Sequence, residues 1–308
     1  MKNKFAIIVV LIVAALAAYT LMYGPFSKKV DQPTEQPAVT DNYKYQETKD
    51  LVALVQDAVK LVEEKGEDSF TDFETPGSKW LNEDMYVFVL DEEGNMVFHV
   101  DPKLKEENQI NLKDSSGKPI VKWFLQEALE YEKGEGWTHY QWPKPDTAIE
   151  EWKTTYVKKA QAPSGKNYVV GSGIYNAKME KQFLVDEVKD AAELLETEGL
   201  AAFDKLRDPA GEFIYKDTYV FVSNMDGVEL VNPAFPELEG QNITDLQDIN
   251  GKYLQQAIQD SVKDTEEGWA DYMWPKPGAT ESTLKNSYIR KVKVGEEYYI
   301  VGSGSYLE

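Results

Sequence analysis

The chain has 308 residues and a formal net charge of −21, with 33 basic against 54 acidic side chains. A surface this acidic is repelled by phosphate backbones and anionic headgroups, which argues against nucleic-acid binding and against polybasic attachment to a membrane. Cysteine is absent and histidine occurs only as His99 and His139. That excludes disulfides, thiolate metal sites, a cysteine nucleophile and a lipoprotein anchor, and no metal or cofactor is expected.

The first element is an apolar run from Phe5 to Tyr23 behind Lys2 and Lys4. As a helix it spans about 29 Å, close to a hydrocarbon core. The preceding lysines place its start in the cytoplasm and the remainder outside. Ala15-Leu16-Ala17 fits the cleavage site of a removed signal peptide. Continuation through Leu21, Met22 and Tyr23 favours a retained anchor. Residues 1–24 are therefore read as membrane anchor or signal peptide. Residues 25–44, broken by Pro25, Pro33 and Pro37, form a linker. Localisation is single-pass with the C-terminal part extracytoplasmic, or secreted or periplasmic after cleavage.

The remainder is one unit written twice. Tyr86-Val87-Phe88-Val89 recurs as Tyr219-Val220-Phe221-Val222, and Gly66, Phe70 and Gly94 match Gly199, Phe203 and Gly227, all 133 residues on. Trp142-Pro143-Lys144-Pro145 recurs as Trp274-Pro275-Lys276-Pro277, 132 on, as do Lys153, Tyr156 and Lys159 in Lys285, Tyr288 and Lys291. Val170-Gly171-Ser172-Gly173 recurs as Val301-Gly302-Ser303-Gly304, 131 on. A nearly constant offset of this length means two homologous domains, placed at 45–176 and 177–308, rather than a solenoid.

Each unit opens with a helix. Leu51, Leu54, Val55, Ala58, Leu61 and Val62 keep helical spacing, and the second helix is expected from about Lys178 to Glu198. Gly66 and Gly199 are placed to end them. Hairpins follow around Glu93-Gly94 and Asp226-Gly227. A short crossover helix is expected at 122–133 and 253–263. Three strands close the first unit, at about 137–142, 154–160 and 168–173. Strand residues such as Val87, Phe88, Val89 and Leu90 are apolar on both faces, so the sheet is expected to be covered on both sides.

The second unit carries Gly268-Trp269 through Trp274-Pro275-Lys276-Pro277, then Ser287-Tyr288-Ile289-Arg290-Lys291, then Val301-Gly302-Ser303-Gly304-Ser305-Tyr306. This resembles the signature of extracellular single-Cache domains, the PAS-like sensors of chemoreceptors and sensor kinases. The first unit is similar, with Gly136-Trp137 through Pro145, Thr155 to Lys159 and Val170 to Tyr175. The resemblance implies an α+β fold of two PAS-like Cache domains, each with a long N-terminal helix, an antiparallel sheet and a short crossover helix. It also implies a pocket for a small organic anion, often a short carboxylate. The family often has His-Pro after the hairpin, where this chain has His99-Val100 and Asn232-Pro233. Family receptors continue into a second transmembrane helix and a cytoplasmic module. This sequence ends at Glu308, so no output domain of its own is expected.

Strand alternation puts Thr138, Tyr140 and Trp142 on one face, and Thr154, Tyr156 and Lys158 on one face of the next strand. If those faces meet, two phenols, an indole N–H and an ammonium converge, a donor set suited to a carboxylate. The second copy supplies Tyr272, Trp274, Tyr288 and Arg290. His99 and Asn232 are further candidates for the two pockets. Read blandly, the same aromatics are core and the cations solvated surface charges. Lys144 and Lys276, each between prolines, serve a stiff turn or a lid, with the turn favoured. The second pocket is expected to keep the carboxylate preference, because Asp271, Asn232-Pro233 and Gly278 follow the family pattern.

The expected function is a membrane-anchored extracytoplasmic sensor of a small organic anion, with a membrane signalling protein as its partner and no enzymatic activity. A structural or adhesive envelope protein with vestigial pockets is the alternative. A hydrolase ranks lower, because no carboxylate pair or nucleophile–base arrangement sits in the repeated motifs.

Overall fold

The computed structural model describes residues 39–307 apart from positions 76, 83, 84, 106, 145, 146 and 148. The apolar run of residues 5–23 and most of the linker lie outside the described residues. Among the described residues no helix is long and apolar enough to cross a membrane.

Helix α1 (Gln46–Lys65) forms because Leu51, Val55, Ala58 and Val62 recur on one face, and that face is buried. It ends at Gly66, whose φ of 62° is open to glycine and costly for other residues, and whose N–H bonds the Val62 carbonyl. A five-stranded antiparallel sheet follows. Its strands are β1 (Phe88–Asp91), β2 (Met96–Phe98), β3 (Glu135–Pro143), β4 (Glu150–Gln161) and β5 (Asn167–Tyr175). The spatial order is β2-β1-β5-β4-β3. Helix α2 (Ile120–Leu125) crosses over between β2 and β3.

The second copy repeats this plan. Helix α3 (Lys181–Glu198) ends at Gly199, again at φ 62° with its N–H on the Leu195 carbonyl. Strands β6 (Phe221–Asn224), β7 (Glu229–Val231), β8 (Glu267–Pro275), β9 (Ser282–Val294) and β10 (Glu297–Tyr306) form a sheet in the order β7-β6-β10-β9-β8. Helix α4 (Leu254–Ser261) is its crossover.

Each sheet is covered on both faces. In the first copy α1 packs with Val89, Trp137, Tyr156 and Val170 on one face. Helix α2 packs with Phe88, Leu90, Tyr140 and Val157 on the other. The second copy has the same two layers, around α3 and α4. This is the mixed α+β architecture of a PAS-like sensor.

Three details differ from the sequence expectation. The first hairpin strand is interrupted, so that Met85–Tyr86 pairs with Leu81–Asn82 while Phe88–Asp91 joins the sheet. Helix α3 starts at Lys181, later than expected. The crossover helix of the first copy stops being α-helical at Leu125 and continues as a π-helical turn, Gln126–Glu130. From the helix starts, Ile120 and Leu254, to Gly136 and Gly268 the first copy has two residues more than the second. A π turn accommodates one extra residue without breaking the helix, and it lies within that interval.

The copies are joined by polar and aromatic contacts. The Glu180 carboxylate, just before α3, accepts the backbone N–H groups of Lys44 and Tyr45 at 2.8 Å each. Lys133, after the π turn, bridges Glu127 at 3.0 Å and Asp190 of α3 at 2.7 Å. Gln126 donates to Glu212 at 3.0 Å, and Lys118 Nζ donates to the carbonyls of Gly211 and Ile214. His139 stacks on Tyr215 with ring centroids 3.9 Å apart.

Candidate functional site

Each copy has a cavity between the sheet and the crossover helix, on the face away from the long helix. The volumes, open mouths included, are about 340 Å³ in the first copy and 350 Å³ in the second. The linings correspond position by position: Tyr86, Phe88, Tyr140, Trp142 and Lys153 in the first, Tyr219, Phe221, Tyr272, Trp274 and Lys285 in the second.

The strand register explains the convergence. Lys153 lies opposite both Tyr140 and Tyr175, so these three side chains leave the sheet on one side. Lys285 lies likewise opposite Tyr272 and Tyr306. The repeated Val-Gly-Ser-Gly motif makes the room. Gly171 is paired with Phe88, and a Cβ at Gly171 would sit 2.3 Å from Phe88 Cζ. At Gly302 the distance to Phe221 Cζ would be 2.4 Å. Only glycine lets these rings lie flat over the neighbouring strand and form the cavity wall.

Both lysines are buried, at 2% and 1% exposure. Lys153 Nζ donates to Tyr86 Oη at 2.9 Å and sits 4.1 Å from the centroid of the same ring. Lys285 Nζ is 3.9 Å from the Tyr219 centroid and 5.3 Å from that of Tyr306. Aromatic faces offset part of the cost of taking an ammonium out of water. The remaining penalty pulls the Lys285 pKa down to about 7. At Lys285 the carboxylates of Glu229 and Glu187 act the other way.

The upper walls differ. His99 Nδ1 accepts the Asp101 N–H at 2.8 Å. Burial and the charge on Lys153 hold its pKa down at about 4, so the ring is neutral with its proton on Nε2. Asn232, the counterpart, donates to Glu229 Oε1 at 2.8 Å and accepts the Phe235 N–H at 3.0 Å. Glu229 replaces Met96 of the first copy, and both line their cavities. Burial pushes the Glu229 pKa up to about 8.

The structure brings His99, Tyr140 and Trp142 to the first cavity and Asn232, Tyr272 and Trp274 to the second. It does not bring Tyr156, Lys158, Tyr288 or Arg290 there. Tyr156 lies opposite Trp137, and Tyr288 opposite Trp269, on the face covered by the long helix. Lys158 shares that face and pairs with Glu135, while Arg290 pairs with Glu267 at 3.3 Å. The expected meeting of faces is one residue out of step: Tyr140 faces Lys153 rather than Thr154, and a single step reverses every side chain. Lys153, Lys285, Tyr86 and Tyr219 are therefore the site residues that the alternation argument missed. Their signal was present, because all four repeat without change. Lys158, by contrast, becomes arginine in the second copy.

The fold and paired cavities define a tandem of small-molecule sensor domains. Residues 75–197 match the family model described as Cache domain, and residues 195–308 match Single Cache domain 2. The chain belongs to the Cache family and carries two of its sensory ligand-binding domains in tandem. A stretch of 92 residues is 30% identical to methyl-accepting chemotaxis protein McpP of Pseudomonas putida, covering 30% of this chain and 16% of that receptor. Among solved structures, a periplasmic sensor domain of a chemotaxis protein is 28% identical over 43% of this chain and all of its own, with TM-score 0.37. A Cache chemosensory domain studied for carboxylic acid recognition is 26% identical over 42% of this chain and 93% of its own, also with TM-score 0.37.

Proposed function

We propose that the protein is an extracytoplasmic sensor that captures small carboxylates in two pockets, one per Cache domain, and passes occupancy to a membrane signalling partner. The observation that carries this reading is the buried lysine at the same register in both sheets, ringed by tyrosines and facing an open cavity. A ligand carboxylate entering either cavity meets an ammonium, and its lone pairs find further donors. In the first pocket these are Lys153 Nζ and the Nε2–H of His99. Trp142 and Tyr140 bound the apolar end.

The sensing units are taken as residues 45–176 and 177–308. The apolar run of residues 5–23, behind its two lysines, is assigned as the membrane anchor, leaving both domains outside the cytoplasm. Its chemotaxis-receptor relative supports a role in sensory signalling. Calorimetric titration of the full chain with acetate, propionate and butyrate tests the reading. Saturable binding of at least one acid supports it, and no heat from any of them, nor from longer or branched monocarboxylates, contradicts it.

A further inference from the structure

The two cavities share their lower wall and differ at one chemically decisive place. Where the first has Met96, the second has Glu229. Glu229 is 3% exposed, and its Oε1 is fixed by the Asn232 amide. Its Oε2 carries no hydrogen bond among the described residues. Nor does a direct ion pair join Glu229 to Lys285 among them, although the two face the same cavity. A buried carboxyl group is retained at a cost unless something hydrogen-bonds it. Here the protein satisfies one oxygen and leaves the other to the cavity.

We infer that the second pocket selects carboxylates bearing a hydrogen-bond donor beside the carboxyl group, a hydroxyl or an ammonium, with Lys285 holding the ligand carboxylate and Glu229, ionised in the complex, accepting from the donor at Oε2. The first pocket, with a thioether at that position, offers such a donor no acceptor and takes the plain acid. The inference rests on the carboxylate reading above and divides the labour between the two copies. It also accounts for Asn232, which replaces His99: an amide can donate to a carboxylate at Nδ2 while accepting a backbone N–H at Oδ1, and so hold Glu229 in place. A site built around a buried acceptor rejects a ligand that leaves it unpaired far more strongly than an apolar wall rejects an added hydroxyl.

The test uses the full chain carrying Lys153→Met, which silences the first pocket, titrated calorimetrically with propionate, lactate and alanine. These share a three-carbon skeleton and differ only in the α substituent. At least one of lactate and alanine is expected to bind about tenfold or more tighter than propionate. Lactate alone assigns a hydroxyl, alanine alone an ammonium. Adding Glu229→Met should bring the three within about threefold. Glu229→Gln, which keeps the shape and an acceptor, should lose any preference for alanine and keep one for lactate. Thermal unfolding of each variant identifies any that fails to fold, and Glu229→Gln then carries the test. Propionate binding as tightly as the other two, with a ranking unmoved by either Glu229 variant, would overturn the inference alone. If none of the three binds the unmutated chain, the carboxylate reading falls and this inference with it.

Discussion

Lys153 and Lys285 occupy the same place in two different sheets: each lies opposite a tyrosine of the preceding strand and a tyrosine of the following one, Tyr140 and Tyr175 for the first, Tyr272 and Tyr306 for the second. We propose that this repeated ammonium, set among tyrosine rings at the edge of each cavity, is the anchor for a ligand.

Lys158 and Arg290 provide a contrast. Each belongs to an ion pair at the sheet margin, partly exposed, on the face away from the cavity. Lys158→Met and Arg290→Met are expected to leave carboxylate affinity within about threefold of the unmutated chain and to cost no more than about 1 kcal/mol of stability. Calorimetry and urea denaturation check this. Loss of binding in either variant would return the site to the helix-covered face.

The second pocket should be sensitive to pH. Burial holds Lys285 down at about 7, so in the empty protein its charge is lost as pH rises through that value. A plain carboxylate binds the protonated lysine, so its affinity should be steady below pH 6 and fall between about pH 7 and 9. Titration of the Lys153→Met chain over that range measures it. Affinity that rises with pH would mean that Lys285 is not the partner.

The junction between copies should weaken as pH rises. Burial pushes Asp190 up to about 6, Glu212 to about 7 and Glu187 to about 8, and raises Glu127 well above its ordinary value in the same cluster. Lys133 and Lys118 are the cations that face them. Carboxylates in the unfolded chain titrate near 4. The folded state therefore holds more protons between about pH 4 and 8, and this part of its stability is lost as pH climbs through that window. The urea midpoint is expected to be higher at pH 5.5 than at 8.5, and Asp190→Asn with Glu212→Gln should flatten the difference. Lys133→Met leaves two buried carboxylates without their cation and should cost about 3 kcal/mol at pH 8, less at pH 5.5. A midpoint that rises with pH would contradict the assignment.

Gly171 and Gly302 test the cavity walls. An added methyl would meet Phe88 or Phe221 well inside contact distance. Gly171→Ala and Gly302→Ala should each destabilise by about 1–3 kcal/mol, as overpacking does, and weaken binding in their own copy only. An alanine tolerated at either position without loss of affinity would show that the ring does not depend on that gap.

Much of this architecture was legible in the residues. The Tyr-Val-Phe-Val, Trp-Pro-Lys-Pro and Val-Gly-Ser-Gly repeats announce two copies, and apolar spacing followed by Gly66 and Gly199 marks both long helices and their ends. What could not be read was which face of β4 meets the cavity. That depends on how the connection between Pro143 and Glu150 sets the pairing of two strands, a tertiary outcome in which one residue more or less turns Lys153 outward and Lys158 inward. The π turn at Gln126–Glu130 was hidden for a related reason, since its trace in sequence is a small change in the repeat offset. Glu229 passed unnoticed because a glutamate beside a hairpin looks like solvated surface until the packing buries it.

The central claim, that each copy holds a small carboxylate on its buried lysine, is tested most directly by titrating propionate and lactate into four forms of the full chain: unmutated, Lys153→Met, Lys285→Met and the double variant. The account predicts that each single variant loses the binding of its own copy and that the double variant loses all of it, with thermal unfolding showing that each variant is folded. Binding by the folded double variant with the affinity of the unmutated chain would contradict it.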